Sequence, residues 1–144
     1  MRESAQPRAY LSRRYHLSAS HRLHSEAYSA EENRAVYGKC NNPHGHGHNY
    51  AVEVTLGGAV NAETGMVCDL GELDEFARTH LLQRFDGKNL NRLEEFHEAV
   101  PTTENFTAAV YGIFQAFSGA SVVRVRIEET GNNSFEMGEE IGRG

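Results

Sequence analysis

Residues 44–56 read HGHGHNYAVEVTL, and this stretch decides the fold that the sequence predicts. In its second half Tyr50, Val52, Val54 and Leu56 fall on one face, with smaller or polar residues between them. Alternation with a period of two is typical of a half-buried β-strand. The first half combines histidine with glycine, which interrupts regular structure, and it lies directly before the strand. The sequence therefore predicts a histidine-rich entry into a central strand.

Further elements are predicted on both sides of this strand. Loose alternation over residues 10–20 predicts an earlier strand. Ser29 can cap a short helix that runs to about Tyr37. Apolar residues at helical spacing predict two longer helices after the central strand, one from Asp69 to about Arg84 and one that begins at Thr102 or Thr103.

The C-terminal part of the chain reads as a hairpin. Residues 122–127 alternate valine or isoleucine with arginine, which places Val123, Val125 and Ile127 on one face of a strand. A Gly-Asn-Asn turn at residues 131–133 precedes a short last strand at residues 134–137.

The order strand, strand, helix, helix, strand, strand predicts an α+β fold. We expect a four-stranded antiparallel sheet with two helices on one face. Such a sheet leaves open edges, and these can be completed by neighbouring copies of the chain. A homo-oligomer is therefore compatible with the predicted architecture.

The composition limits the classes of protein to which the chain can belong. Its 144 residues favour one domain, placed at residues 10–144 after a polar, flexible leader at residues 1–9. The formal net charge of −6 argues against nucleic acid as a partner, because a phosphate backbone calls for a basic surface. No apolar run reaches the length of a membrane span. Two cysteines, Cys40 and Cys68, favour a reduced, cytoplasmic protein.

The histidines before the central strand form a candidate metal site. On an extended segment, two histidines that are two residues apart, as in the run of His44, His46 and His48, point to the same side and can reach one ion. Zinc favours imidazole nitrogen, and catalytic zinc sites use three protein ligands with one open position. His21, at the end of the first strand, is the candidate for the third ligand if the two strands pair. A flexible surface loop is the alternative interpretation of an isolated His-Gly-His pair.

Several motifs occur in the same order as in a known family. They are SASHRL (18–23), GKCNNP (38–43), GHGHNY (45–50), TGMV (64–67), KNL (88–90), TTEN (102–105) and ETGNN (129–133). On these motifs the chain resembles the 6-pyruvoyl-tetrahydropterin synthase family from about residue 16 to residue 133. The resemblance implies the T-fold, in which three subunits form a barrel and two trimers stack into a homohexamer with active sites between subunits.

The resemblance also implies a reaction and its cofactor. The substrate would be 7,8-dihydroneopterin triphosphate, which loses triphosphate and becomes 6-pyruvoyl-tetrahydropterin without an external redox cofactor. His21, His46 and His48 match the family's Zn²⁺ ligands, and the ion would polarise the two side-chain hydroxyls of the substrate.

Five more residues match functional positions of the family. Cys40 matches the residue that takes the side-chain proton, and a nearby cation such as Lys39 or the metal would favour its thiolate. Glu129 matches the carboxylate that binds the amino-pyrimidine edge of the pterin. The resemblance also gives Thr103 and Glu104 a part in seating the ring, and Asp86 a part in catalysis.

One departure from the family pattern bears on catalysis. Residues 86–90 read DGKNL, whereas the family has DHKNL, so Gly87 replaces a histidine that relays protons with the cysteine. Glycine cannot accept a proton, and general acid–base catalysis typically contributes about 10²–10⁴-fold. Three explanations stay open. Asp86 acts alone or through water; the chain is a catalytically impaired zinc- and pterin-binding homologue; or another imidazole substitutes, from His44, His80 or His97.

A second departure leaves the metal register open. His44 stands where the synthases carry asparagine, so His44 and His46 can be read as the metal pair instead of His46 and His48. The shorter spacing from Cys40 would then resemble the 6-carboxy-tetrahydropterin synthases of queuosine biosynthesis, which cleave the side chain. The motifs on both sides of the run favour His46 and His48.

Overall fold

The computed structural model describes residues 6–139 and is built around a five-stranded sheet. In chain order the strands are β1 (Arg8–His21), β2 (His46–Ala59), β3 (Lys88–Asn89), β4 (Ser121–Glu128) and β5 (Ser134–Gly138). Their spatial order is β3-β1-β2-β4-β5. All neighbouring pairs are antiparallel except β1 and β3, which are parallel. The sheet is therefore mixed.

Three α-helices accompany the sheet. They are α1 (Ala30–Tyr37), α2 (Leu70–Ala77) and α3 (Thr103–Phe114). A π-helical turn at Arg78–Leu82 and a last helical segment at Gln83–Phe85 continue α2. Short 3₁₀ helices follow at Gly38–Asn41, Leu90–Arg92 and Glu94–Phe96. Among residues 6–139, no helix is long and apolar enough to cross a membrane.

The α+β class agrees with the sequence prediction, but two details of the predicted architecture were wrong. The sheet has five strands rather than four, and one pairing is parallel rather than antiparallel. A third helix, α1, joins the two that were counted in the predicted fold class. Only α2 and α3 supply buried residues to the main core, so two helices do cover one face of the sheet.

Strand β3 escaped prediction because two residues cannot show a periodic pattern. Tertiary contacts make this strand instead. The Gly87 N–H donates to the Ser18 carbonyl at 2.6 Å, and the Ser18 N–H donates to the Asp86 carboxylate at 2.9 Å. Gly87 has a φ of +74°, a conformation that glycine adopts at little cost. The turn therefore swings the chain alongside β1.

Side chains that cap the three helices are those that the sequence predicted. Ser29 and Glu32 form a reciprocal capping box at the start of α1. Asp69 accepts a hydrogen bond from the Glu72 N–H, and Thr102 accepts one from the Asn105 N–H. These bonds satisfy N–H groups that the first turn of a helix leaves without partners.

The core lies between the inner face of the sheet and the helices α2 and α3. Pairing of β1 with β2 and of β2 with β4 places alternate residues of the three strands on this face. Apolar burial is the main stabilising contribution here, at about 25 cal/mol per Å² removed from water. The largest fully buried apolar side chains are Tyr50, Phe85, Phe106, Phe114, Leu56, Leu73, Leu81, Leu90 and Ile127.

A β-bulge corrects one predicted face of β4. The register against β2 shifts between Thr55 and Leu56, so that Leu56 pairs with Val122. As a result Val122, rather than Val123, joins Val125 in the core. One extra residue in a strand reverses the faces of the residues before it.

Residues at the N-terminus were expected to form a flexible leader over positions 1–9. Residues 1–5 lie outside the described residues, and β1 begins at Arg8. The strand therefore includes the last two positions of that segment.

A polar network fastens α2 to β1. Asp74 on α2 accepts two hydrogen bonds from the Arg13 guanidinium, at 3.0 and 2.8 Å, and one from the Tyr15 hydroxyl at 2.8 Å. The Arg13 hydrogen bonds hold the pKa of Asp74 below its ordinary value. Because Tyr15 is almost fully buried, its hydroxyl depends on this partner.

We expect Tyr15→Phe to lower the free energy of unfolding by about 1–2 kcal/mol, because it removes a hydrogen bond to a charged acceptor. Urea denaturation followed by circular dichroism measures this loss. Tyr10→Phe is the matched control, since Tyr10 is 72% exposed. Equal unfolding free energies for the two variants would show that the network does not stabilise the fold.

Candidate metal centre and adjoining cavity

Pairing of β1 with β2 brings the three candidate histidines together. His21 ends β1 and lies directly opposite His46, the first residue of β2. His48 follows two residues later on the same strand and therefore on the same face. Gly45 makes this approach possible, since it has a φ of +71° and a Cβ there would lie 3.0 Å from the His21 carbonyl oxygen.

The three imidazole rings surround one point. Their centroids are 4.6 to 5.1 Å apart. One ligand nitrogen from each ring lies within 4.8 Å of the others, and the Nε2 atoms of His21 and His46 are 3.3 Å apart. Three convergent imidazole nitrogens are the donor set of a catalytic zinc site with one open position. The cluster can therefore hold a metal ion.

The tautomer of His21 suits this role. Its Nδ1 lies 2.8 Å from the Pro101 carbonyl oxygen, to which it donates when it carries the proton. The Nε2 lone pair is then free to face the cluster. A backbone carbonyl bound to the far nitrogen is the usual way in which proteins orient a metal-ligating histidine.

The surroundings of His48 give a second indication of a ligand. Its Nε2 is buried and has no hydrogen-bond partner in the described part of the chain. The nearest carboxylate oxygen, from Glu129, lies 3.8 Å away. Since buried polar atoms normally find partners, an ion at the cluster would satisfy this nitrogen.

Burial keeps two of the rings in the form that binds metal. It is the main cause that lowers the pKa of both His21 and His48 below the ordinary value. Neutral imidazole is the ligand form, because the protonated ring has no free lone pair. The rings therefore stay available to a metal somewhat below the pH at which free histidine becomes protonated.

Glu129 and Thr103 form the next layer around the cluster. The Thr103 hydroxyl donates to one carboxylate oxygen of Glu129, while the other oxygen faces His48. Thr103 is buried, and the Glu129 side chain is only 14% exposed. By contrast, Glu104 lies exposed in the first turn of α3. The structure thus brings two of the three predicted ring-binding residues to the metal cluster.

Cys40 lies in a cavity that reaches the metal cluster. The cavity has a volume of about 760 Å³, and its lining includes Cys40, His46 and His48. Burial is the main cause that raises the pKa of the Cys40 thiol, and Glu129 adds to the effect. The described protein groups alone therefore favour the thiol over the thiolate.

Asp86 and Gly87 lie apart from that cavity. The Asp86 carboxylate accepts the Ser18 N–H, and neither residue is among the residues that line the cavity with Cys40. Gly87 borders a smaller cleft of about 280 Å³, whose lining also includes His48 and Lys88. Within one chain, Asp86 is thus a backbone partner of β1 and does not meet the cysteine.

His44 is exposed and takes no part in the metal cluster. The pairing of His21 with His46 leaves His48, and not His44, on the face that the other two rings share. The cluster therefore contains the pair His46 and His48, which the flanking motifs favoured, and not the pair His44 and His46.

Two other contributors to the site were not predicted from the sequence. The Pro101 carbonyl orients His21, and Arg34 lines the cavity from α1. A carbonyl group carries no residue-type signal at all. The position of Arg34 depends on how the segment between β1 and β2 folds back over the end of the sheet.

Comparison with known proteins gives consistent matches. The model of the 6-pyruvoyl tetrahydropterin synthase family matches residues 10–140. The 6-pyruvoyl tetrahydrobiopterin synthase of Drosophila melanogaster is 44% identical over 133 residues, which cover 90% of this chain and 79% of that protein. The human protein of the same name is 43% identical over 127 residues, which cover 87% and 88%.

Solved structures agree with the sequence matches. The structure of Caenorhabditis elegans 6-pyruvoyl tetrahydropterin synthase superposes with a TM-score of 0.90 at 36% identity. The match covers 95% of this chain and 99% of that one. The two chains therefore share the same fold over nearly their full length.

We expect His48→Ala to abolish retention of zinc, because two imidazoles hold the ion far more weakly than three. Elemental analysis after gel filtration measures the zinc content per chain. His44→Ala removes a neighbouring exposed imidazole and is expected to retain zinc fully. Full zinc retention in His48→Ala, or its loss in His44→Ala, would contradict the ligand set.

Proposed function

The chain belongs to the 6-pyruvoyl tetrahydropterin synthase family and is a phosphate-eliminating lyase, and we propose that it uses zinc to convert 7,8-dihydroneopterin triphosphate into 6-pyruvoyl-tetrahydropterin. The observation that carries the proposal is the convergence of His21, His46 and His48 beside the cavity that contains Cys40. Family membership supports the type of reaction, and the three histidines beside the cavity support the location of the active site.

His21, His46 and His48 are the proposed zinc ligands. The buried, unpartnered Nε2 of His48 and the Pro101 contact of His21 both fit that assignment. Bound there, zinc supplies Lewis-acid polarisation of the hydroxyl groups on the substrate side chain. Burial lowers the pKa of His21 and of His48, which favours the neutral, metal-binding form of these two rings.

Cys40 and Glu129 are the proposed proton-transfer and pterin-binding groups. Cys40 takes a proton from the substrate side chain as a thiolate, which a positive charge in the cavity stabilises. Glu129 accepts two N–H groups from the amino-pyrimidine edge of the ring, a strong charge-assisted arrangement. Thr103 supports Glu129 by its hydrogen bond. The family resemblance gives Glu104 a part in seating the ring, although Glu104 is exposed in the single chain.

We propose that Asp86 acts with Cys40 across a subunit boundary. In a single chain Asp86 does not line the cavity of Cys40. A homohexamer made from two trimers, with active sites between subunits, would supply the missing neighbour. The open edge strands β3 and β5 are compatible with such assembly.

We also propose that residues 10–144 form a single domain and that the protein is cytoplasmic. Both cysteines are free, which is compatible with a reducing compartment.

A catalytically impaired homologue is the second candidate, and Gly87 is the observation that favours it. The position where the family places a histidine has no imidazole here. The candidates to replace it, His44, His80 and His97, are not among the residues lining the cavity with Cys40. Side-chain cleavage to 6-carboxy-tetrahydropterin is the remaining alternative, and the product distinguishes it.

Incubation with 7,8-dihydroneopterin triphosphate is expected to yield a pyruvoyl pterin and free triphosphate, both identified by mass spectrometry. A chelator is expected to stop the reaction. Release of acetaldehyde would instead indicate side-chain cleavage, and tight pterin binding without any product would indicate the impaired homologue.

Cys40→Ala is expected to keep zinc but to lower kcat by about 10²-fold or more, because it removes the proposed base. Zinc content and turnover are measured on the same sample. Cys68→Ala is the control, since Cys68 is buried in the core away from the cavity. Unchanged turnover in Cys40→Ala would remove this cysteine from the mechanism.

Gly87→His is expected to raise kcat by about tenfold or more by supplying the absent imidazole. A Cβ at this position meets no atom within 4 Å, so the side chain has room. The left-handed backbone costs a non-glycine residue about 1–2 kcal/mol of stability. Gly87→Ala carries the same strain without an imidazole and controls for it. Equal kcat in the two variants would show that no relay is missing.

A further inference from the structure

The cavity beside the metal cluster has a positively charged wall. Arg22, Arg34 and Lys39 all line it, and no aspartate or glutamate of residues 6–139 is in its lining. The whole chain has a formal net charge of −6, so this concentration of positive charge is local. A cleft lined by charge of one sign attracts ligands of the other sign.

These three cations are free to bind a ligand. Throughout residues 6–139, none of them lies within 4.0 Å of a carboxylate oxygen, and the arginines that do pair are others. Arg22 donates through Nε to the Asn41 carbonyl at 3.2 Å, which orients its guanidinium without neutralising it. Because these cations form no ion pair among the described residues, their positive charge is available to a ligand in the cavity.

Buried hydrogen bonds hold the segment that carries Arg34 and Lys39. The Asn33 side chain is fully buried; its Oδ1 accepts the Ser25 N–H and its Nδ2 donates to three backbone carbonyls. The Leu23 N–H donates to the Cys40 carbonyl at 2.7 Å. Arg34 directly follows Asn33, and Lys39 directly precedes Cys40. These hydrogen bonds therefore hold the backbone that carries Arg34 and Lys39 close to Cys40.

We propose that Arg22, Arg34 and Lys39 form a polyphosphate subsite that binds the triphosphate of the substrate. The identity of this ligand rests on the proposed function. Guanidinium groups bind phosphate oxygens through two parallel hydrogen bonds, and lysine adds a compact charge. A cavity of about 760 Å³ lies within the roughly 300–1,000 Å³ range of sites that enclose a whole small ligand.

The subsite also assists the elimination. When the carbon–oxygen bond to the triphosphate breaks, its electron pair leaves with the phosphate oxygen, and the neighbouring carbon gives its proton to the base. A carbon–carbon double bond forms between the two carbons. The negative charge that grows on the leaving oxygen is offset by the three cations, which act where charge develops.

Binding of inorganic triphosphate to the zinc-loaded protein tests the subsite without turnover. We expect calorimetry to show binding that Arg34→Ala weakens by roughly tenfold, the loss that one charge-assisted contact implies. Arg92→Ala is the matched control, because Arg92 is exposed and is not among the residues lining the cavity. It removes the same charge and is expected to bind triphosphate like the unmodified protein.

Two further measurements separate this inference from the proposed function. Arg34→Ala is expected to raise KM for the triphosphate substrate about tenfold, while its affinity for dihydroneopterin, which has no phosphate, stays unchanged. Equal triphosphate affinity in Arg34→Ala and the unmodified protein would overturn the subsite, as would equal weakening in Arg92→Ala. Arg34-dependent triphosphate binding without formation of a pyruvoyl pterin would leave the subsite standing and overturn the proposed function.

Discussion

Fourteen residue pairs join β1 to β2, and the last of them sets His21 against His46. Everything at the metal cluster depends on this register. A slip by one residue would turn His21 to the opposite face of the sheet, because side chains alternate along a strand. The same slip would move Leu17 and Ala19 out of the core, where both are buried. Apolar burial over the length of the strand therefore fixes the position of a polar site at its end.

Residues at the start of helix α3 add contacts to the metal cluster that the two strands form. Its contribution at the cluster comes from the residues around the start of α3, where Pro101 orients His21 and Thr103 supports Glu129. The Thr102 cap fixes that helix start. Because the cap holds the backbone at the start of α3, it also holds Pro101 and Thr103 in position to contact His21 and Glu129. The metal cluster thus sits at the junction of three separate segments.

The segment between β1 and β2 forms a positively charged wall of the cavity beside the metal cluster. Its amide side chains, Asn33 and Asn41, satisfy backbone groups in place of regular secondary structure. This arrangement keeps Cys40 and three cations beside the metal cluster in a protein that is acidic overall. A charged cavity wall of this kind is compatible with a phosphorylated pterin, and it explains how an acidic chain can attract an anionic substrate. The cleft at Gly87 lies beside β3 and shares His48 with the cavity, but Gly87 does not line the cavity that contains Cys40. The consequence of the missing imidazole therefore depends on how the subunits assemble.

By itself, the sequence determined those features that depend on residues close together in the chain. Alternation in residues 50–56 predicted β2. Asp69 predicted the start of α2, and the pair Thr102 and Thr103 predicted the start of α3 to within one residue. The spacing of His46 and His48 predicted that they share a face. The ordered motifs also identified the family, since their residues can be read without knowing any contact.

Only the tertiary structure decided which distant segments meet. It joined His21 to the later pair, placed Val122 rather than Val123 in the core through a bulge, and created β3 from contacts of Asp86 and Gly87 with Ser18. It also placed Arg34 in the lining of the cavity that reaches the metal cluster. Each of these features depends on contact between residues far apart in sequence. A hydrogen bond or a shared cavity needs two such positions at once, so no local sequence pattern encodes it.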